Sequence, residues 1–172
     1  ESTTVAMFSS SVYGQSKPSL CGDVLAWADS LAEYSADGSN IKSSISSIRL
    51  GSSTINSYNP GTYVHDPRVN GPYTAWMTGN HGPDSDLYYC KNNGQPVQIA
   101  SGVVDFGMGS DFVAYSREQV IYAYSFKAGK EFQVSPEHQL TQLLGVSDDR
   151  VIWMDVTSRD IGRDIIMFAE IP

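Results

Sequence analysis

Four short stretches of the chain share one pattern, a mostly apolar run closed by a large aromatic. They are Asp23-Val24-Leu25-Ala26-Trp27, Pro72-Tyr73-Thr74-Ala75-Trp76, Asp111-Phe112-Val113-Ala114-Tyr115 and Asp149-Arg150-Val151-Ile152-Trp153. The closing aromatics stand 49, 39 and 38 residues apart. A unit of roughly 40–45 residues, rich in strand formers, has the period of a propeller blade, and no such unit can bury its apolar face without a neighbour. The 172 residues hold four of them.

Between these stretches lie short apolar segments separated by Gly, Pro, Asn and Asp, the pattern of an all-β repeat. Only Ala26 to Tyr34 could form an amphipathic helix, and its second half runs into the turn-rich residues Ser35 to Asn40. That half reads as a loop insertion, Ala28 to Ser43. Superposing the four copies gives a four-strand unit. A short innermost strand comes first (Ser19-Leu20, Pro67 to Val69, Val103 to Phe106, Leu143 to Val146), and a tight turn follows. Gly22-Asp23, Asn70-Gly71, Gly109-Ser110 and Asp148-Asp149 are residues of the kind that supply such turns. The aromatic-ended strand, a variable loop, a third strand and an outer strand complete the unit. The fourth copy has no outer strand of its own, whereas Thr3 to Phe8 is a strand-like segment without a blade. An open sheet edge leaves backbone groups unpaired, so this segment is expected to complete the last blade. The expected fold is an all-β, single-domain β-propeller of four four-stranded blades. The blades cover about 18–58, 66–100, 102–135, and 140–172 with 3–8.

Asp148 to Asp155 followed by Arg163 to Phe168, and Asn70 to Trp76 followed by Asp86-Leu87-Tyr88-Tyr89 and Asn93-Gly94, resemble the repeat of TolB-like (WD40/PD40-type) β-propellers. The resemblance covers nearly the whole chain. It departs in the third copy, which ends in Tyr115, and in the first, which lacks the Asp-Ile-Tyr strand start. It implies a secreted or cell-envelope protein. Because members of that group usually have six or more blades, three arrangements stay open. The chain closes its own ring, or two chains share a larger one, or the chain is part of a longer protein. Glu1 in place of Met is expected of a processed or excised product.

Nineteen acidic against eleven basic residues leave a net charge of −8. There is no cationic surplus for neutralising the phosphates of a nucleic acid, nor for an anionic membrane surface. No apolar run reaches the ~18 residues of a membrane helix, and no signal peptide is visible. Cys21 and Cys90 have no metal-site spacing; two reduced, partly buried thiols are expected, with a Cys21–Cys90 bridge as the alternative.

In an antiparallel blade the loops between second and third strands share a face with the blade-to-blade connections, and here they are the longer, unequal segments. All three histidines, His65, His81 and His138, fall in segments assigned to that face. They could form a metal or acid–base cluster with neighbouring carboxylates, or stand as three separate exposed side chains. Catalysis calls for two or more of His65, His81, His138, Asp84 and Asp160 converging in one cleft. Asp84, Asp86, Asp155 and Asp160 offer hard oxygen ligands for Ca²⁺, though neither run matches the twelve-residue calcium loop, and solvated turn aspartates are the other reading. Tyr13, Tyr34, Tyr58, Tyr63 and Trp76 could make an aromatic platform for sugar rings or a protein. Tyr34, Tyr58, Tyr63, His65, His81, Asp84, His138 and Arg159 are the candidate ligand-binding residues. Trp27, Trp76, Tyr115 and Trp153 read as inter-blade core.

There is no Gly-x-Ser-x-Gly elbow and no phosphate-binding Gly-rich loop. The expected function is therefore non-enzymatic binding of a protein or glycan through the loop-rich face, with no required cofactor and oligomerisation open. The alternatives are a carbohydrate-active enzyme (glycosidase or lyase) and a structural subunit of a surface or filament assembly.

Overall fold

The computed structural model describes residues 15–32, 41–58, 63–79, 83–136, 140–157 and 164–171, which hold fifteen strands and no helix. Sheet 1 contains β1 (Gln15–Cys21), β2 (Val24–Ala32), β3 (Ile41–Arg49) and β4 (Ile55–Tyr58). Sheet 2 contains β5 (Val64–Asn70), β6 (Tyr73–Thr78), β7 (Asp86–Lys91) and β8 (Val97–Ser101). Sheet 3 contains β9 (Val103–Met108), β10 (Phe112–Arg117), β11 (Val120–Ser125) and β12 (Lys130–Gln133). Sheet 4 shows β13 (Thr141–Val146), β14 (Arg150–Asp155) and β15 (Ile165–Glu170). Every sheet is a meander in chain order. The segment Thr3 to Phe8, expected to finish sheet 4, lies outside the described residues.

One reading is corrected. Of the expected loop insertion Ala28 to Ser43, the described residues Ala28 to Ala32 and Ile41 to Ser43 are strand: β2 and β3 pair without a break from Val24↔Arg49 to Ala32↔Ile41. Over Ala26 to Ala32 the local helix preference gives way to the ladder that β3 offers, as weak propensities do when tertiary pairing is available. The two strands of this hairpin have nine residues each, against six in the corresponding strands of the other sheets.

A strand alternates its side chains between two faces, and here the two faces serve two different neighbours. Trp76 and Cys90 of sheet 2 pack against Ala28 and Ile45 of sheet 1. Val113 and Tyr115 of sheet 3 pack against Ala75, Met77 and Leu87 of sheet 2. Val151 and Trp153 of sheet 4 pack against Phe112, Ala114, Ile121 and Ala123 of sheet 3. Trp27, Trp76, Tyr115 and Trp153 are 5%, 1%, 0% and 2% exposed, so the repeat aromatics are core. Each of the last three points back to the preceding sheet. The residue before each repeat aromatic, on the opposite face, is Ala26, Ala75, Ala114 and Ile152 in turn; the small side chain in three copies lets the next sheet approach closely.

Two further devices recur. The first N–H of each later inner strand donates back to the start of the preceding sheet's third strand: Val64 to the Ser43 hydroxyl, Val103 to the Ser85 carbonyl (2.9 Å), Thr141 to the Gln119 carbonyl (2.8 Å). These bonds staple consecutive sheets at the loop-rich end. In addition, every inner strand carries a register break against its neighbour, between Ser16 and Ser19, between His65 and Arg68, opposite Ser116/Arg117, and between Leu143 and Gly145. Such bulges sharpen the twist and re-aim a side chain. Pro18 and Pro67 sit in the first two, on an edge strand where a missing N–H costs no ladder bond.

Both cysteines are free thiols. Cys21 Sγ lies 3.4 Å from Asn70 Oδ1, while Cys90 is buried between sheets 1 and 2. Burial pushes the Cys90 thiol above its ordinary value, against smaller opposing pulls from the Asn93 and Thr74 backbone. Less thiolate and no access both slow alkylation. Under native conditions at pH 8, mass spectrometry after iodoacetamide should find Cys21 labelled well before Cys90; equal rates would contradict the burial.

Candidate functional site

On the loop-rich face a cleft of about 460 Å³ opens between sheets 2 and 3, lined by Pro83, Ser101, Gly102, Val104, Arg117, Glu118 and Gln119. Three segments build it: the β6–β7 loop, the link into β9 and the tight β10–β11 turn. Gly102 makes the link with φ +75°, and a Cβ there would meet the Pro83 carbonyl at 3.6 Å and the Arg117 stem at 3.8 Å. Glu118 and Gln119 hold the turn with φ of +51° and +60°, a conformation unusual for non-glycine residues that the surrounding ladder enforces. The Gln119 carbonyl in turn accepts from both the N–H and the hydroxyl of Thr141, which fixes the turn to sheet 4.

The side chains are set as firmly. The bulge in β9 leaves Val104 50% exposed although Val103 beside it is fully buried. The Arg117 guanidinium lies over the Tyr122 ring at 4.3 Å and forks onto Glu131, with Nη2 3.0 Å from Oε1 and Nη1 3.3 Å from Oε2. The Tyr115 hydroxyl also donates to Glu131. The result is a pre-oriented cation beside an apolar wall of Pro83 and Val104, an arrangement suited to an apolar side chain with a polar group next to it.

Sequence reasoning did not single out this constellation. Its one signal was the position two past the repeat aromatic, occupied by Asp29, Thr78, Arg117 and Asp155 in turn. Only the third copy places a cation there. Asp29 is instead structural, accepting from the Trp27 indole (2.9 Å) and the Ser46 hydroxyl (2.6 Å).

His65 does not lie in a connecting loop. It belongs to β5, is 2% exposed, stacks on Tyr63 with centroids 5.5 Å apart, and sits with Nδ1 3.0 Å from Asp66 Oδ2. Asp66 reaches it through the bulge, with φ +51°. His81, His138, Tyr34, Arg159, Asp160 and Tyr13 lie outside the described residues. Asp84 is exposed in the loop before β7, and Asp86, the first residue of β7, pairs with Thr78 and Ser101 of the strands on either side. Asp155 is at the end of β14 in sheet 4, with sheet 3 between it and Asp86, and Thr157 holds its carboxyl below the usual range by side-chain and backbone hydrogen bonds. Among the described residues, no three of His, Cys, Asp and Glu are placed to hold a metal ion.

The expected aromatic platform is divided. Tyr58 meets Trp76 at 5.2 Å in a second cleft, of about 450 Å³ between sheets 1 and 2, with Asn56, Asn93 and Gln95 along its walls. Trp76 is too buried to offer a ring face, and Tyr63 is committed to His65.

No protein-family model matches the sequence, and no curated protein matches it. Solved structures do match in fold. The β-propeller domain of the Trilobed protease from Pyrococcus furiosus is 13% identical with a TM-score of 0.60, over 81% of this chain and 47% of that one. The fold is a β-propeller. A structure from work on two prolyl endopeptidases gives a TM-score of 0.66 at 12% identity, over 90% of this chain and 25% of that one. The Pyrococcus horikoshii acylaminoacyl peptidase gives 0.61 at 11%, over 91% and 30%. At these identities the likeness is one of fold, and the chain spans less than half the length of each of these propeller proteins.

Proposed function

We propose that this chain is a non-enzymatic binding propeller of the TolB-like kind, secreted or held in the cell envelope. Its loop-rich face takes a segment of a protein partner in the cleft between sheets 2 and 3. The observation that carries this reading is Val104, half exposed beside an Arg117 whose guanidinium is already fixed by Glu131 and Tyr122. A pre-oriented anchor spares a bound segment much of the ordering cost of association. Loops on a rigid sheet scaffold are also where binding sites concentrate. Glycan binding is the second reading, and the amide-lined cleft around Tyr58 is what favours it. A carbohydrate-active enzyme would need groups beyond His65, which is closed in by Tyr63 and Asp66. Ca²⁺ at Asp84 and Asp86 would be an addition to the binding face and not a requirement of it.

Panning a displayed random-peptide library against the protein, followed by calorimetry, tests the proposal. Enriched peptides should bind wild type and lose at least tenfold in affinity to Val104→Arg, with Tyr58→Ala unaffected. A glycan-array signal abolished by Tyr58→Ala, with no peptide enriched, would move the site to the other cleft.

A further inference from the structure

Two of the three contacts between sheets are apolar at the centre, and the first is not. The residue two before the repeat aromatic faces the preceding sheet. It is Thr74 in sheet 2, but Val113 in sheet 3 and Val151 in sheet 4. The residue paired with the repeat alanine faces the next sheet. It is Ser47 in sheet 1, but Tyr89 in sheet 2 and Ala123 in sheet 3. Sheets 1 and 2 therefore meet through two hydroxyls where the other sheets meet through apolar side chains, and the cleft of about 450 Å³ around Tyr58 opens there. That volume falls within the ~300–1,000 Å³ of small-ligand sites.

The lining is polar without being charged. In a chain of net charge −8, no acidic or basic side chain lines this cleft. Ser47 and Thr74 are 6% and 7% exposed. The Ser47 hydroxyl donates to Asn93 Oδ1 at 3.1 Å, which fixes that amide at the β7–β8 turn. Thr74 makes no side-chain hydrogen bond among the described residues, and the buried Nε1 of Trp76, which also lines the cleft, has no partner. Buried polar groups are normally paired, so these are demands that the protein itself leaves unmet. Asn56 and Gln95, both exposed, add amides that donate and accept.

A charged ligand would lose its hydration here and gain no counter-charge. A neutral molecule with many hydroxyls and one apolar face loses less, since amides and hydroxyls meet the former and the half-buried Tyr58 ring meets the latter. A sugar ring has that shape, with hydroxyls around its rim and C–H groups over a face. We propose that the cleft between sheets 1 and 2 binds a neutral saccharide, its hydroxyls on Thr74, Asn56, Asn93 and Gln95 and its C–H face on Tyr58. The site rests on the glycan reading of this cleft, and what the cleft between sheets 2 and 3 binds does not enter.

An array of neutral oligosaccharides and their uronic-acid counterparts, followed by calorimetry on the full chain, tests the proposal. A neutral glycan should bind, and its uronic-acid counterpart at least tenfold more weakly. Thr74→Val keeps the side chain's shape and gives this contact the valine of the other two. It should melt at or above the wild-type temperature while affinity for the glycan falls at least tenfold. A merely structural Thr74 would move melting and binding together. Tyr58→Ala should also weaken binding at least tenfold. If Thr74→Val misfolds, the exposed Asn56→Ala takes its place. Peptides selected for the other cleft should bind these variants as they bind wild type, so the two sites stand or fall separately. No neutral glycan bound at about 10 mM would overturn the proposal. So would a glycan affinity indifferent to Thr74→Val or to Tyr58→Ala, an acidic glycan bound as tightly as its neutral counterpart, or a peptide whose affinity falls with Tyr58→Ala.

Discussion

Tyr115→Ala is expected to destabilise the fold by about 3–5 kcal/mol, the cost of removing a fully enclosed aromatic and leaving its cavity. Tyr115 has no exposure, packs with Val113, Phe106, Met77 and Leu87, and stacks on Tyr122 at 5.9 Å. Its loss empties the centre of the contact between sheets 2 and 3. Tyr115→Phe separates packing from polarity. The ring stays, and only the hydrogen bond to the partly exposed Glu131 is removed, a loss of about 1.5 kcal/mol because Arg117 still pairs with that carboxylate. Urea unfolding of the three proteins checks both values. An alanine variant costing under ~1 kcal/mol, in the range of surface substitutions, would place Tyr115 outside the core.

The second large effect comes from crowding. A Cβ at Gly107 in β9 would stand 2.5 Å from Val146 Cγ2 and 2.8 Å from its Cβ in β13. Neither strand can withdraw without parting sheets 3 and 4. Gly107→Ala should therefore cost about 1–3 kcal/mol, and Gly107→Val more. Val146→Ala removes the closest atom, so the double variant should be more stable than the two single costs predict when added; contacting residues couple in this way. Gly145→Ala is the control. Nothing lies within 4 Å of its added Cβ, and a change within about 0.5 kcal/mol is expected. Equal costs at Gly107 and Gly145 would mean that β9 and β13 do not meet as described.

The blade order was legible because its causes are local and repeated. An aromatic at a fixed place in each unit, a Gly or Asp turn before it and a strand-length run around it are each visible in a single sequence. The first hairpin was misread because nothing in Ser30-Leu31-Ala32 announces that a partner strand will run alongside it, and pairing outweighs local preference. His65 was misplaced for a related reason. The Asp66-Pro67 bulge lets β5 continue past a proline, so a residue that reads as loop is strand and buried. The cleft at Arg117 was hidden more deeply. It depends on three segments from two sheets, and on a bulge that exposes Val104, neither of which one strand's sequence encodes.

These elements share one division of labour. The repeat aromatics and alanines make the sheets stack, and the proposed function assigns binding to the unequal loops at one end of the stack. Hydrogen exchange measured by mass spectrometry, with and without a saturating selected peptide, tests that division most directly. The account predicts added protection at Gly102 to Val104 and Arg117 to Gln119, with the opposite-end turns at Gly22-Asp23, Asn70-Gly71 and Asp148-Asp149 unchanged. Protection confined to those opposite turns would contradict it.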